Sequence, residues 1–166
     1  MNFLIREARP ADASEIAAIH YASRRYAYKT ILSEELLNDR TKDDLTVYWT
    51  KQFELPVLKR GQIFVVEHQQ QLIGFVVLVA DSYPAEIDRI YVRPTHLGKG
   101  AGTAMIAHCL DLLRTSYCRD ICVWVFEGNS AARRFYESQG FLLDGNFRQS
   151  VPYPREIRYS RLYTGA

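Results

Sequence analysis

With 166 residues and a mass of 19.2 kDa, the chain has the length of one domain and can bury roughly 70% of the surface its unfolded form exposes, without disulfide or metal staples. A composition of 48% apolar and 24% charged residues, with only 9 Gly and 6 Pro, excludes disordered, collagen-like and coiled-coil classes. The net charge of +2 gives no general affinity for nucleic acid or membranes. Residues 1–90 carry 11 basic and 13 acidic side chains and residues 91–166 carry 10 and 6; the second half would suit an anionic ligand, although an imbalance this small also arises by chance.

The chain opens with a short strand over Ile5 to Pro10. Asp12 followed by Glu15 predicts a capping box, with a helix running on to about Tyr26. Ser33, ahead of Glu34 and Glu35, starts a short second helix. Thr41 with Asp44 starts a third, whose Leu45, Trp49 and Phe53 recur every four residues and which ends near Pro56. Ile63–Glu67 and Leu72–Val79 are β-branched and apolar and form a hairpin across His68 to Gln71. Leu72 to Ala80 is the longest uncharged apolar run, and its 9 residues are less than half a membrane span. Met1 to Arg6 lacks the apolar length of a signal peptide, so a cytoplasmic location is expected.

Ala85 to Val92 is the next strand, followed by a glycine-rich turn and a helix marked by Met105, Ile106, Cys109, Leu110 and Leu113. A strand over Ile121–Phe126 precedes a helix capped by Asn129 or Ser130 and stopped at Gly140. Phe141–Gln149 and Ile157–Tyr163 close the chain as a strand pair around a proline-marked turn. This order predicts an α/β fold with a mixed, mostly antiparallel central sheet of about seven strands and helices on both faces. Cys109, Cys118 and Cys122 match no zinc spacing and the four histidines are scattered, so reduced, buried thiols and no metal site are expected.

Three alternating glycines, Gly98, Gly100 and Gly102, stand where a strand gives way to a helix. Backbone amides can crowd around an anion at such a point, and the helix N-terminus adds unpaired donors and the positive end of its dipole. A Cβ at Gly100 or Gly102 could block close approach of a diphosphate or a positive φ. The Walker A pattern fails because Lys99 precedes the last two glycines. The dinucleotide fingerprint fails because its third glycine would fall on Thr103 or Met105.

The segment from Val92 to Gly102 resembles the acyl-CoA-binding motif of the Gcn5-related N-acetyltransferases, with Leu97 where that family usually carries Arg or Gln. Asn129, Ala132, Phe135, Tyr136, Gly140 and Phe141 resemble the second family signature at the expected separation. The resemblance covers nearly the whole chain and is weakest over the first 60 residues. It implies the acyl-CoA N-acyltransferase fold and acetyl-CoA as acetyl donor. The donor would lie along Ile90, Tyr91 and Val92. It would be held by the turn running Leu97, Gly98, Lys99, Gly100, Ala101, Gly102 and Thr103, and by Asn129, Ala132 and Arg133 on the second motif.

Acetyl transfer to an amine requires a base, because an alkyl ammonium has a pKa of about 10.4. It also requires a donor for the oxyanion and an acid for the departing thiolate. The resemblance implies Glu86 as base, directly or through water, and Tyr136 as acid. Strand alternation sets Glu86, Asp88, Ile90 and Val92 on one face, where two carboxylates could raise one pKa and attract a cation. Asp88 could instead pair with an arginine. The oxyanion donor is the amide of Tyr91 or Val92, a choice the sequence leaves open. Asn129 contacts the pantetheine arm or only caps its helix. His20, His68 and His108 read as structural or exposed, His96 lies on the turn, and Tyr21, Tyr26 and Tyr28 could line an acceptor pocket.

These readings point to an N-acetyltransferase acting by direct attack on the thioester, since no cysteine sits in a nucleophile motif. The acceptor would be a small cationic or peptide amine, and family precedent adds homodimer formation as an option. The rival readings are a non-catalytic acyl-CoA sensor and a nucleotide-binding protein.

Overall fold

The computed structural model describes residues 2–114 and 120–162. Its strands are β1 (Leu4–Glu7), β2 (Gln62–His68), β3 (Gln71–Val79), β4 (Ala85–Val92), β5 (Ile121–Phe126), β6 (Leu142–Arg148) and β7 (Glu156–Arg161). They form one seven-stranded sheet in the order β1-β2-β3-β4-β5-β7-β6. Only β4 and β5 are parallel, as a crossover helix between them requires. The helices are α1 (Ala13–Tyr28), α2 (Glu34–Leu37), α3 (Lys42–Glu54), α4 (Val57–Arg60), α5 (Ala101–Leu113) and α6 (Ser130–Ser138). Among the described residues no helix is long and apolar enough to cross a membrane.

Two apolar cores sandwich the sheet. On one face α1 and α3 bring Ile16, Ile19, Leu45 and Trp49 against Ile63, Val65, Phe75 and Val77. On the other, α5 and α6 bring Met105, Ile106, Cys109 and Tyr136 against Val66, Ile73, Val76, Ile87 and Val123. The strand alternation that feeds both cores is the period-two pattern visible in β2 and β3. The β2–β3 turn is tighter than expected. Only Gln69 and Gln70 lie outside the strands, both at positive φ (50° and 63°), the mirror-image turn that suits a right-twisted hairpin.

The helix starts follow their caps with one exception. Thr41 and Asp44 form the reciprocal capping box of α3, and the Ser33 hydroxyl accepts from the Leu36 amide. The box expected from Asp12 and Glu15 does not form. The Asp12 carboxylate turns backward to accept from the Arg9 amide at 2.7 Å and from Arg6 at 2.8 and 3.0 Å, while Glu15 pairs with Arg93. The charge-assisted bonds from Arg6, together with the Arg9 amide, hold this carboxylate away from the first turn of α1. The short helix α4 after Pro56 was not expected, and the placements of Cys118 and Tyr163 lie outside the described residues.

Candidate active site

The site is a wedge between the two parallel strands. β4 and β5 pair only from Ala85, Glu86 and Ile87 to Ile121, Cys122 and Val123, after which the edges that face each other are unpaired. On the far edge of β4 the Arg93 amide donates to the Ile73 carbonyl at 2.7 Å, and Tyr91 and Val92 lie opposite Phe75 and Gly74. Antiparallel alternation therefore turns the Tyr91 amide into the ladder and the Val92 amide away from it, towards the wedge. The Val92 carbonyl, on the same outward edge, accepts from Ser23 of α1 at 2.9 Å. Of the two amides the sequence left open, Val92 is the one turned to the gap.

The glycine turn leads from β4 to the N-terminus of α5. Gly98 and Gly100 have φ of 72° and 93°, with open space where a Cβ at Gly98 would stand. The first intrahelical bond runs from the Ala104 amide to the Gly100 carbonyl, leaving the amides of Ala101, Gly102 and Thr103 without an intrahelical acceptor. Leu97 points outward at 45% exposure, and Lys99 donates to the Thr95 carbonyl. An uncrowded array of donors with no carboxylate on the turn fits a diphosphate supplied by coenzyme A. Gly102 serves a different purpose from the one expected. It is helical, and a Cβ there would stand 2.9 Å from the Phe135 ring, so its lack of side chain lets the two signature motifs touch.

In the second motif Asn129 is buried, and its side-chain oxygen accepts from the Ala132 amide at 3.1 Å, the helix-cap arrangement. Arg133 donates to the Tyr159 hydroxyl and to the Glu127 carbonyl, both at 3.1 Å, which commits its guanidinium to β7 and the end of β5. Tyr136 is 6% exposed and packs on Phe135 and Phe141. Burial, then the nearby Tyr91 hydroxyl, push its pKa well above the phenol value, so it holds its proton.

Glu86 and Asp88 are separated by an irregularity that strand alternation could not show. Val77 pairs with Arg89 and Leu78 with Ile87, so Asp88 is an extra residue in β4. The bulge reverses the alternation. Ala85, Ile87, Ile90 and Val92 face the α5 core, whereas Arg89 lies over Tyr48 and Trp49, and Tyr91 joins the core on the α1 face. Glu86 therefore does not share a face with Ile90 and Val92, and Asp88 is ion-paired with Arg89. Burial first, and the charge of Asp88 second, raise the pKa of Glu86, against the opposing effect of Arg148. It stands at the closed end of the wedge, within the last paired rungs.

Two residues that matter here were not singled out for these positions. Ser23 continues the stripe Ile16, Ile19, His20 on α1, and a hydroxyl on an apolar face was the signal for its bond to Val92. Tyr28 bridges the open strands, with its ring 5.1 Å from that of Phe126 on β5 and its hydroxyl 3.4 Å from that of Tyr91 on β4. Of the expected structural histidines, His20 is stacked on Tyr91 and accepts from Trp49 Nε1 at 3.3 Å. Cys109 and Cys122 are buried and their pKa values are raised, to about 12 and about 11, first by burial, so neither is a ready thiolate. Among the described residues no cluster of His, Cys, Asp or Glu could hold a metal.

Comparison with known proteins agrees with this architecture. Residues 13–141 match the model of the acetyltransferase (GNAT) family. A probable N-acetyltransferase of Mycobacterium tuberculosis is 32% identical, over 87% of this chain and 82% of its own length. The L-amino acid N-acyltransferase of Escherichia coli is 26% identical over 87% and 83%. In fold, the PaiA N-acetyltransferase of Thermoplasma acidophilum, solved with coenzyme A, superposes with a TM-score of 0.80 at 19% identity, covering 98% of this chain and all of that one. The yncA protein of Salmonella typhimurium, solved with acetyl-CoA, gives 0.70 at 19% identity over 97% and 94%. With its wedge, its glycine turn and both signature motifs in contact, the chain belongs to the GNAT family of acetyltransferases.

Proposed function

We propose that the protein moves the acetyl group of acetyl-CoA to a primary amine by direct attack, the acceptor being a small cationic molecule or a peptide amine. The observation that carries this reading is the wedge itself. An unpaired stretch of β4 turns the Val92 amide outward, and Val92 packs in the same core as Ala101 at the donor-rich start of α5 and Tyr136. Structural relatives were solved with coenzyme A or acetyl-CoA, and a relative 23% identical is a spermidine N(1)-acetyltransferase of Thermoplasma acidophilum.

Acetyl-CoA supplies the activated acyl carbon. Glu86, its pKa raised, accepts the ammonium proton through water, since it stands at the closed end of the wedge and not at its mouth. The neutral nitrogen forms the C–N bond while the Val92 amide stabilises the oxyanion. The C–S bond then breaks, Tyr136 donates the proton that turns the departing thiolate into a thiol, and the second proton shed by the nitrogen as the amide forms restores the phenol. The raised pKa values of Cys109 and Cys122 weigh against a covalent acyl-enzyme.

The test is the thermal unfolding midpoint with saturating acetyl-CoA, with ATP and NAD as controls. A ligand at about 100 times its dissociation constant adds roughly 2.7 kcal/mol, several degrees for a domain of this size. An upward shift specific to acetyl-CoA, followed by amine-dependent thiol release, is the expected result. Folded protein without that shift would remove the reading.

A further inference from the structure

Beside the wedge lies a cleft of about 320 Å³, with Ile31, Leu32 and Leu36 on one side and Pro152 and Pro154 of the β6–β7 connection on the other. That volume is at the small end of the range for ligand sites and suits a compact group. We infer that the cleft seats the acceptor and selects a primary amine with a compact hydrocarbon body over a polyamine or a lysine-bearing peptide. The inference rests on the acetyl-transfer reading above and narrows its acceptor.

Continuity with the wedge comes from Tyr28. The amides of Ile31 and Leu32 both donate to the Tyr28 carbonyl at 2.9 Å, so the apolar wall hangs directly on the residue that spans β4 and β5. Ile31 also lies 4.0 Å from where a Cβ on Gly128 would stand, next to the end of β5. An amine whose body fills the cleft thus has its nitrogen beside the open edge of the wedge.

Charge decides between amines. Among the described residues Glu35 is the one ionisable side chain lining the cleft, enough for a single ammonium at the mouth. Three carboxylates of the neighbouring elements are held by arginines: Asp39 by Arg24 at 3.0 Å, Glu127 by Arg155 at 2.6 Å and Glu156 by Arg148 at 2.7 Å. Asp39 also accepts from Tyr153, which stands between the two lining prolines. A second or third ammonium would find the Ser33 hydroxyl but no further carboxylate on the lining, and would lose hydration without a charged partner. Each methylene that enters the cleft, by contrast, strengthens binding about fourfold.

The experiment measures thiol release with 3-methylbutylamine, 2-phenylethylamine, spermidine and a lysine-containing peptide, alongside the acetyl-CoA thermal shift. The expected result is a kcat/KM for the apolar amines at least tenfold above that for spermidine and for the peptide, mainly through KM. Leu36→Glu should shrink or invert the preference over spermidine, with the acetyl-CoA shift retained as proof of folding. Should Leu36→Glu fail to fold, Leu36→Ala should still narrow the same ratio. Preference for spermidine or for the peptide, or ratios unchanged in the folded variants, overturns the inference while leaving acetyl transfer intact. Absence of the acetyl-CoA shift in the native chain overturns both.

Discussion

The Phe135 ring lies against the first turn of α5 so closely that a Cβ on Gly102 would come within 2.9 Å of its Cζ and 3.2 Å of its Cε2. The acyl-CoA turn and the second signature are therefore one packed unit, and Phe135 is followed directly by Tyr136. Gly102→Ala gains roughly 0.5–1 kcal/mol of helix propensity. It loses about 1–3 kcal/mol to overpacking, because the ring also touches Tyr136 and cannot simply swing away. Net destabilisation of about 1 kcal/mol is expected in urea unfolding. Phe135→Leu should relieve it, so that the double variant is more stable than the sum of the two single changes. Strict additivity would show that the ring yields freely.

Tyr136→Phe removes one hydroxyl and leaves the packing on Phe141 in place. If the phenol protonates the leaving thiolate, kcat should fall by about 10²–10⁴, the usual contribution of a general acid. The thermal shift with acetyl-CoA should persist, because the diphosphate cradle lies elsewhere. Unchanged turnover would end the assignment and leave Tyr136 as a core residue.

How much of this was legible beforehand follows from which interactions are local. Element order, the caps at Thr41 and Asn129 and the glycine turn depend on short-range patterns and emerged from the sequence. The Asp88 bulge did not, because an extra residue in β4 is revealed only by its register against Val77 and Leu78. It changes the face shared by every residue beyond it. The resemblance sets Arg133 against the coenzyme, and only the fold brings Tyr159 from β7 beneath it. Ser23 and Tyr28 were hard to place for the same reason: their partners Val92, Tyr91 and Phe126 lie far along the chain.

Glu86 gives paired predictions of opposite sign. Its pKa is raised in the folded protein, first by burial and then by Asp88, so the folded state binds its proton more tightly than the unfolded chain does. Stability from this group is complete below its ordinary value and is lost as pH rises through the raised one. Glu86→Gln should therefore unfold at a higher temperature than the native protein at pH 7, an advantage that fades below about pH 4. The same variant should lose activity, and with it the acidic limb of the kcat/KM profile, which in the native enzyme lies above the ordinary carboxylate range. A Glu86→Gln enzyme that keeps full rate and the same limb would exclude Glu86 as the base.

His20 sets the acid stability of the opposite core. It is 7% exposed beneath Trp49 and Tyr91, and burial first, then Arg89, Arg24 and Arg40, bring its pKa down to about 3. In the unfolded chain its value returns to about 6.5. Between these limits the unfolded state takes up a proton that the folded state refuses. The resulting contribution to stability is present above pH 6.5 and is lost as pH falls, by up to about 1.4 kcal/mol per pH unit. His20→Gln keeps an acceptor for the Trp49 Nε1 proton and does not titrate, so its stability should decline less steeply between pH 6 and pH 4. Carboxylates titrate alike in both proteins and cancel in the difference, which isolates the imidazole. Parallel curves would mean that His20 accepts its proton inside the folded core, and that the cations around it do not exclude a further charge.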